Sequence, residues 1–402
     1  MTAPPGGDRI ILAVTSSQSL RLLRGFPEYL AARGWDVHVV CADAPGSAEG
    51  SYTLHSLPMH RQPSIFQDAF ALLRWVVLMA RLRPSVVVAG TPKAGLLGMV
   101  ASFVTARPTR IYLLRGLRLT TESGSRRRLL RVLEKTAVRM ATKTQIVSHS
   151  LAREAVAMKI SDLESIVVVG PGSSNGVAIP PLAEAEIPPG ERRAQLGLVE
   201  RPTIGFVGRI TADKGIETLV RAYSMLKRTG ATVHLLIIGP EEVPGYLKTL
   251  IVQEGLHPED VTWVGSVSEP APYYRAMEVL CLPSRREGFP NVILEAAAHG
   301  VPTVASRVTG CVDAVVEHTT GLLFSVDDTK DLAHALGTFI HEQSLQRRMG
   351  RNARERAVQE FSREHIWRLT EEFYRREVVL GQDSRRRNRS LWNCSETQGA
   401  AP

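Results

Sequence analysis

The chain has little of what several common chemistries need. Only four cysteines, Cys41, Cys281, Cys311 and Cys394, occur in 402 residues. None forms a CxxC pair or stands at metal-ligand spacing, so free thiols in a reducing compartment are expected, and neither a disulfide framework nor a thiolate metal site. Aromatics make up 6%, and no stacking-aromatic motif accompanies the basic residues, which argues against nucleic acid as a partner. No Asp-x-Asp pair occurs. The longest largely apolar stretches, such as AGLLGMVASFV from Ala94 to Val104, are too short to span a bilayer. The opening MTAPPGGD lacks the basic and apolar segments of a secretory signal. Where a dinucleotide fold would carry GxGxxG after its first strand, SSQSLR follows RIILAVT, against a dinucleotide-dependent oxidoreductase.

What is present is a basic surplus, unevenly spread. The net charge is +9, yet residues 1–185 hold 22 Lys+Arg against 12 Asp+Glu, leaving 27 against 28 for the remainder. An anionic partner of the first half is therefore expected, such as a membrane surface or a phosphorylated substrate. At this length two domains are the natural division.

Short β-rich runs alternate with helical patterns. RIILAVT (9–15), DVHVVCA (36–42), SVVVAG (85–90), RIYLLRG (110–116) and TQIVSHS (144–150) read as buried parallel strands, and RPTIGFVGR (201–209), TVHLLIIG (232–239), VTWVG (261–265), EVLCLPS (278–284) and VPTVASR (301–307) repeat the rhythm. This predicts an α/β protein of two Rossmann-like, doubly wound domains facing a central cleft, covering 1–185 and 186–361 and joined through the Pro-rich 179–193. A helix around 362–380 is expected to pack back on the first domain, and 381–402 to be a disordered tail.

Two motifs carry chemistry. After the strand TIGFVG come Gly208-Arg209 and then Lys214-Gly215 at a helix start, a basic pair beside exposed amides that suits an anion; alone, it reads equally as surface Arg and Lys in ordinary ion pairs. After EVLCLPS comes REGFPNVILEAAAHG, with Glu287 in a loop, Pro290 suited to a first turn, and Glu295 inside the helix. The two carboxylates are expected roughly 10–12 Å apart at the helical rise, too far for paired glycosidase acids around one bond. The plain alternative is a surface Glu followed by a helix with one charged face.

The order Gly208-Arg209-x4-Lys214-Gly215 and then Glu287-x7-Glu295 resembles the family-4 glycosyltransferases of GT-B fold. TTGLLF (319–324) and VPTVASRVTGCVDAVVE resemble the same family's C-terminal domain, and TPKAGLLG (91–98), IYLLRGLRLTTESG (111–124), VSHSLAREA (147–155) and GPGSSNGV (170–177) resemble its capsule, exopolysaccharide and lipid-linked glycan branch. The resemblance implies a metal-independent transfer of a hexose, of N-acetylhexosamine or uronic acid type, from a UDP-sugar, with retention at the anomeric carbon and no cofactor. It implies catalytic roles for Arg209, Lys214 and Glu287, and donor binding by Gly208, Gly288, Phe289, Pro290, Asn291, Glu295 and Val267. Glu295 would hold the ribose and Glu287 the sugar. On the acceptor side it points to Ser17, Ser19, Lys93 and Arg115. Two departures stand out: Arg115 where many members have His, and SSQS (16–19) where many have a Gly-rich loop.

The implied acceptor is lipid-linked or a phosphoglycolipid, in cell-envelope glycan or antibiotic glycolipid synthesis, handled by a cytoplasmic protein docked on the inner membrane face. SRRRLLRVLEK (125–135) reads as an interfacial helix; FQDAFALLRWVVLMARLR (66–83) is similar, with plain core packing the favoured reading over an interface. Rival readings are a nucleotide-sugar epimerase on the same fold and a non-catalytic sugar-nucleotide binder. His299 is expected to pack or cap, Asn175 to serve a turn, and Cys311 not to act as a nucleophile.

Overall fold

Strands rich in Val and Ile and buried on both faces belong inside parallel sheets covered by helices on each side, and both sheets of this protein are of that kind. The computed structural model describes residues 7–43, 50–59, 64–120, 122–185 and 187–397. The chain divides into two units, one of residues 1–147, 152–175 and 367–402, the other of 148–151 and 176–366. The chain thus leaves the first unit at Asn175, earlier than the expected 185. The Pro-rich stretch lies within the second unit, where Pro189 opens a helix instead of linking domains. Residues 1–6 of the opening and Glu186 lie outside the described residues.

The first sheet holds β1 (Arg9–Ala13), β2 (Asp36–Cys41), β3 (Thr53–Ser56), β4 (Val86–Gly90), β5 (Thr109–Leu114), β6 (Lys143–Ile146) and β7 (Ile166–Val167), all parallel, in the order β3-β2-β1-β4-β5-β6-β7. Its strands are linked through α1 (Phe26–Ala32), α2 (Ile65–Leu82), α3 (Pro92–Val104), α4 (Gly124–Met140) and α5 (His149–Ala157). The edge strands β3 and β7 were not expected: TLHS is half exposed and carries no apolar run, and β7 is only two residues long.

The second sheet holds β8 (Thr203–Val207), β9 (His234–Ile238), β10 (Val261–Gly265), β11 (Val279–Leu282), β12 (Thr303–Ser306) and β13 (Gly321–Phe324), in the order β10-β9-β8-β11-β12-β13. Its helices are α6 (Leu182–Ala185), α7 (Pro189–Gln195), α8 (Ile216–Arg228), α9 (Tyr246–Gln253), α10 (Ala271–Tyr274), α11 (Asn291–Ala298), α12 (Cys311–Ala314), α13 (Thr329–His341) and α14 (Gln343–Phe361). Helix α8 shows how the core forms: Ile216, Leu219, Val220 and Tyr223 recur at helical spacing and bury against Phe206, Leu235 and Ile237 of the sheet.

The last helix, α15 (Arg363–Thr397), runs on into the stretch expected as a tail. Residues 382–397 contain no proline and several helix-favouring Arg, so nothing in them stops a helix already started. Gly381 lies close against Pro108 and Thr109, where a Cβ would crowd the Thr109 hydroxyl. Residues 398–402 lie outside the described residues. From Trp367 on, α15 belongs to the first unit, with the Trp367 ring 5.3 Å from Tyr29 and Glu371 accepting from Trp35 Nε1.

Candidate active site

In a doubly wound sheet, ligands bind outside the carboxyl ends of the strands where the winding reverses. In the second unit that point lies between β8 and β11, and the loops leaving these two strands carry the two sequence motifs. Gly215 decides how they meet. Its φ is +69°, and a Cβ there would lie 1.9 Å from the Pro283 carbonyl oxygen, so the turn can settle on the exit of β11 only with glycine. The same loops are stitched together by Arg285, whose backbone N–H donates to Asp213 O at 2.9 Å and whose Nη1 donates to Ala212 O at 3.0 Å.

The result is a concentration of charge. Lys214 Nζ pairs with Glu287 Oε1 at 2.6 Å, with the two side chains only 20% and 12% exposed. Arg209, about half exposed, pairs with Glu242 through Nη1, while its Nη2 stands 3.9 Å from Asp213. Arg286 also lies 3.9 Å from Asp213. Burial works to raise the Asp213 carboxyl, but the Thr211 hydroxyl at 2.6 Å and the cations Arg209, Lys214 and Arg286 outweigh it and hold the group below its ordinary range. Cations thus gather at a place already lined by acids.

Helix α11 begins right after this loop, with Pro290 as its cap; the amides of Asn291 and Val292 have no intrahelical partner, and that of Ile293 donates to Pro290 O at 3.1 Å. Asn291 Oδ1 is buried without a hydrogen-bond partner among the described residues. Glu295, half-buried inside α11, accepts from the Tyr274 hydroxyl at 2.5 Å. Burial, and then the Glu295 charge, push that phenol well up. His299 packs as expected: it stacks on Tyr274 at 5.8 Å and receives Arg275 Nε at 3.1 Å. Val267 is half-buried in the loop after β10, at the same edge of the sheet. Cys311 is buried, and burial followed by the Glu287 charge push its thiol well up, away from thiolate chemistry.

Two expected donor contacts change character. The Phe289 side chain is 8% exposed and packs on Phe361 at 5.5 Å, so it anchors the loop and can offer a ligand only its backbone. Pro290 has no N–H to offer. Four residues at the site carried no sequence signal of their own. Asp213 and Arg286 sit inside the motif loops, Glu242 reaches Arg209 from the loop after β9, and Tyr274 is one aromatic in APYYRAM.

In the first unit the reversal falls between β1 and β4, where the Thr15 and Thr91 hydroxyls lie 2.7 Å apart. Ser17 is engaged by Asp43, receiving no ligand role from geometry alone: its N–H and hydroxyl donate to that carboxylate at 2.7 and 2.8 Å. Ser19 Oγ is 3.3 Å from Ser16 Oγ. Lys93 pairs with Asp68 at 2.7 Å. Arg115 leaves β5 with its guanidinium against Gly90, its Nε donating to Ser174 at 2.8 Å and its Nη1 buried without a partner among the described residues. Burial lowers it to about 10. Asn175 does more than turn the chain, receiving Trp367 Nε1 at 2.7 Å and donating to Arg24 O at 3.0 Å.

Both units match known protein families. Residues 22–172 match the glycosyl transferase 4-like domain and residues 190–356 the glycosyl transferases group 1. The chain is 35% identical over 367 residues to the capsular polysaccharide biosynthesis glycosyltransferase CapM of Staphylococcus aureus, covering 91% of this chain and 96% of that one. It is 35% identical over 219 residues to a D-inositol 3-phosphate glycosyltransferase of Nocardia farcinica, covering 50% and 46%. Among solved structures it resembles sucrose-phosphate synthase of Thermosynechococcus elongatus (TM-score 0.77, 23% identity, 93% and 100% covered). It also resembles Anabaena HepE in complex with UDP and glucose (TM-score 0.76, 20% identity, 91% and 99% covered). The chain belongs to the family-4, group 1 glycosyltransferases, built as two Rossmann-like domains of the GT-B type.

Proposed function

We propose that the chain transfers a hexose, of N-acetylhexosamine or uronic acid type, from a UDP-sugar to a lipid-linked glycan acceptor with retention and without a metal ion. The observation that carries this reading is the pairing of Lys214 with Glu287 beside Arg209, at the reversal point of the second sheet and next to the start of α11. A diphosphate brings the negative charge that Arg209 lacks a strong hold on, since its present pair with Glu242 is half exposed and easily exchanged. Lys214, by contrast, is held in place by Glu287, leaving Oε2 for a sugar hydroxyl. The bond from the anomeric carbon to the UDP oxygen breaks as the acceptor hydroxyl attacks from the same face, and the acceptor's proton passes to the leaving phosphate. Charge developing on the diphosphate is what Arg209, Lys214 and the α11 amides stabilise, each donor contributing on the order of 3 kcal/mol. Glu295, oriented by Tyr274, takes the ribose hydroxyls.

UDP as the nucleotide is supported by the HepE complex, and an envelope glycan acceptor, in preference to an antibiotic glycolipid, by the similarity to a capsular polysaccharide enzyme. An acceptor of that kind places the working protein at the cytoplasmic membrane face. The test is a panel of nucleotide sugars monitored by thermal midpoint, followed by product analysis with a polyprenyl-diphosphate sugar acceptor. Stabilisation by UDP-sugars and an α-linked product from an α-linked donor are expected. Conversion of a UDP-sugar without acceptor would favour the epimerase reading instead.

A further inference from the structure

Helices α2, α3 and α4 each lead to the next strand in the same direction across the first sheet, and right-handed crossovers therefore lay them in one layer on one face. Helix α2 packs on α3, and α3 on α4. A helix in such a layer should be apolar inward and polar outward. Helix α2 is not. Ala71, Trp75 and Met79 face inward and are buried, yet Phe66, Phe70, Leu73 and Val77 are 89%, 55%, 58% and 58% exposed. These four recur at helical spacing as one stripe roughly 16 Å long. The expectation that 66–83 is plain core packing therefore holds for one side only.

Helix α4 supplies the complement. Leu129 and Val132 are 51% and 59% exposed. Around them Arg126, Arg127, Arg128, Arg131, Lys135 and Arg139 are all exposed. The helix has one acid, Glu134, which is buried and receives the Tyr112 hydroxyl at 2.6 Å, so it offsets nothing at the surface. Helix α2 adds exposed Arg74, stacked over Phe70 at 4.6 Å, and Arg81.

We propose that the outer faces of α2 and α4 form a docking surface for an anionic lipid bilayer, with the α2 stripe entering the headgroup–acyl boundary and the α4 cations meeting lipid phosphates. An apolar stripe flanked by cations suits that boundary. A second copy of the chain is a poorer occupant, because a two-fold pairing of this face sets the α4 arginines either against those of the other copy or against its apolar α2 stripe, and in neither case against acids. Among the described residues no helix is long and apolar enough to cross a membrane, so the contact is peripheral. The inference extends the proposed lipid-linked acceptor, but binding to vesicles is measured without donor or acceptor, so the two stand or fall separately.

The experiment is co-sedimentation of the full chain with vesicles of phosphatidylcholine alone or with phosphatidylglycerol. Binding at least tenfold stronger to the anionic vesicles is expected, weakening as salt rises. F70E/L73E removes the stripe at exposed positions with a good helix former, and R127E/R128E/K135E reverses the charge. Each should bind at least tenfold more weakly while keeping the thermal midpoint and its rise with UDP. The proposal is overturned if the wild-type chain stays in the supernatant with anionic vesicles, or if both variants sediment as it does. It is also overturned if the chain is a dimer that F70E/L73E converts to monomer without changing vesicle binding.

Discussion

Replacing Lys214 with alanine separates a gripping cation from a merely structural one. The side chain is one-fifth exposed and its partner Glu287 less so, so the substitution strands a largely desolvated carboxylate. Breaking a fully buried pair costs about 3–5 kcal/mol, and the remaining solvent contact here reduces the expected stability loss to about 1–2 kcal/mol. The effect on the donor is larger. Removing one charged partner of the bound diphosphate costs about 3 kcal/mol of binding, close to two decades in affinity. At a UDP concentration near 100 times the wild-type Kd, ligand stabilises the native protein by about 2.7 kcal/mol, whereas a variant with a hundredfold weaker Kd gains only about 0.4 kcal/mol. For a domain of roughly 150–250 residues the difference amounts to about 5–9 °C of midpoint shift. Thermal unfolding with and without UDP reads this directly. Glu287→Gln is the companion: it keeps the cation, so UDP alone should bind within about threefold while turnover falls about a hundredfold. If Lys214→Ala responds to UDP as strongly as wild type, the diphosphate is not held where we argue.

Other expectations follow from the same geometry. Gly215→Ala forces a left-handed turn on a residue with a Cβ and drives it into the Pro283 carbonyl, so denaturant titration should show a loss above about 2 kcal/mol; a loss below about 0.5 kcal/mol would refute the close approach. Tyr274→Phe removes the hydroxyl that orients Glu295 and should weaken UDP binding about tenfold by calorimetry; unchanged affinity would take Glu295 out of the ribose site. Burial lowers the pKa of His38, His55 and His234 below the ordinary 6.5. The unfolded chain then takes up protons that the folded one resists, so stability is full above pH 6.5 and falls as pH drops toward the depressed folded values, by at most about 1.4 kcal/mol per pH unit per histidine. Midpoints measured from pH 7.5 to 5 should decline before the carboxylates titrate, and His234→Gln should flatten the decline; an unaltered slope would contradict the assignment.

What could be read in the sequence, and what could not, divides along a physical line. Gly208 to Gly215 and Glu287 to Glu295 each lie within one strand–loop–helix passage, where chain geometry and the helical rise fix how far apart side chains can stand. Their spacing therefore fixes which side chains can stand together, while the roles expected of them came from the resemblance. The partners that tune those residues come from elsewhere: Glu242 meets Arg209 across 33 positions and Tyr274 meets Glu295 across 21. Such pairings depend on strand order, which no local pattern encodes. The first-unit residues show the converse. Ser17 and Lys93 were singled out because a resemblance pointed to their loops, and both are engaged by neighbouring acids, Asp43 and Asp68. Helix α2 marks a different limit. Its apolar residues wrap most of the helix, broken by Gln67, Asp68, Arg74 and Arg81, so the sequence leaves core packing and an interface both open and does not divide Trp75 from Phe70. Once the sheet is built, Trp75 is fully buried and Phe70 is 55% exposed. An apolar face left uncovered among the described residues is what the proposed bilayer contact would cover, and the cations of α4 are what give that proposal its sign.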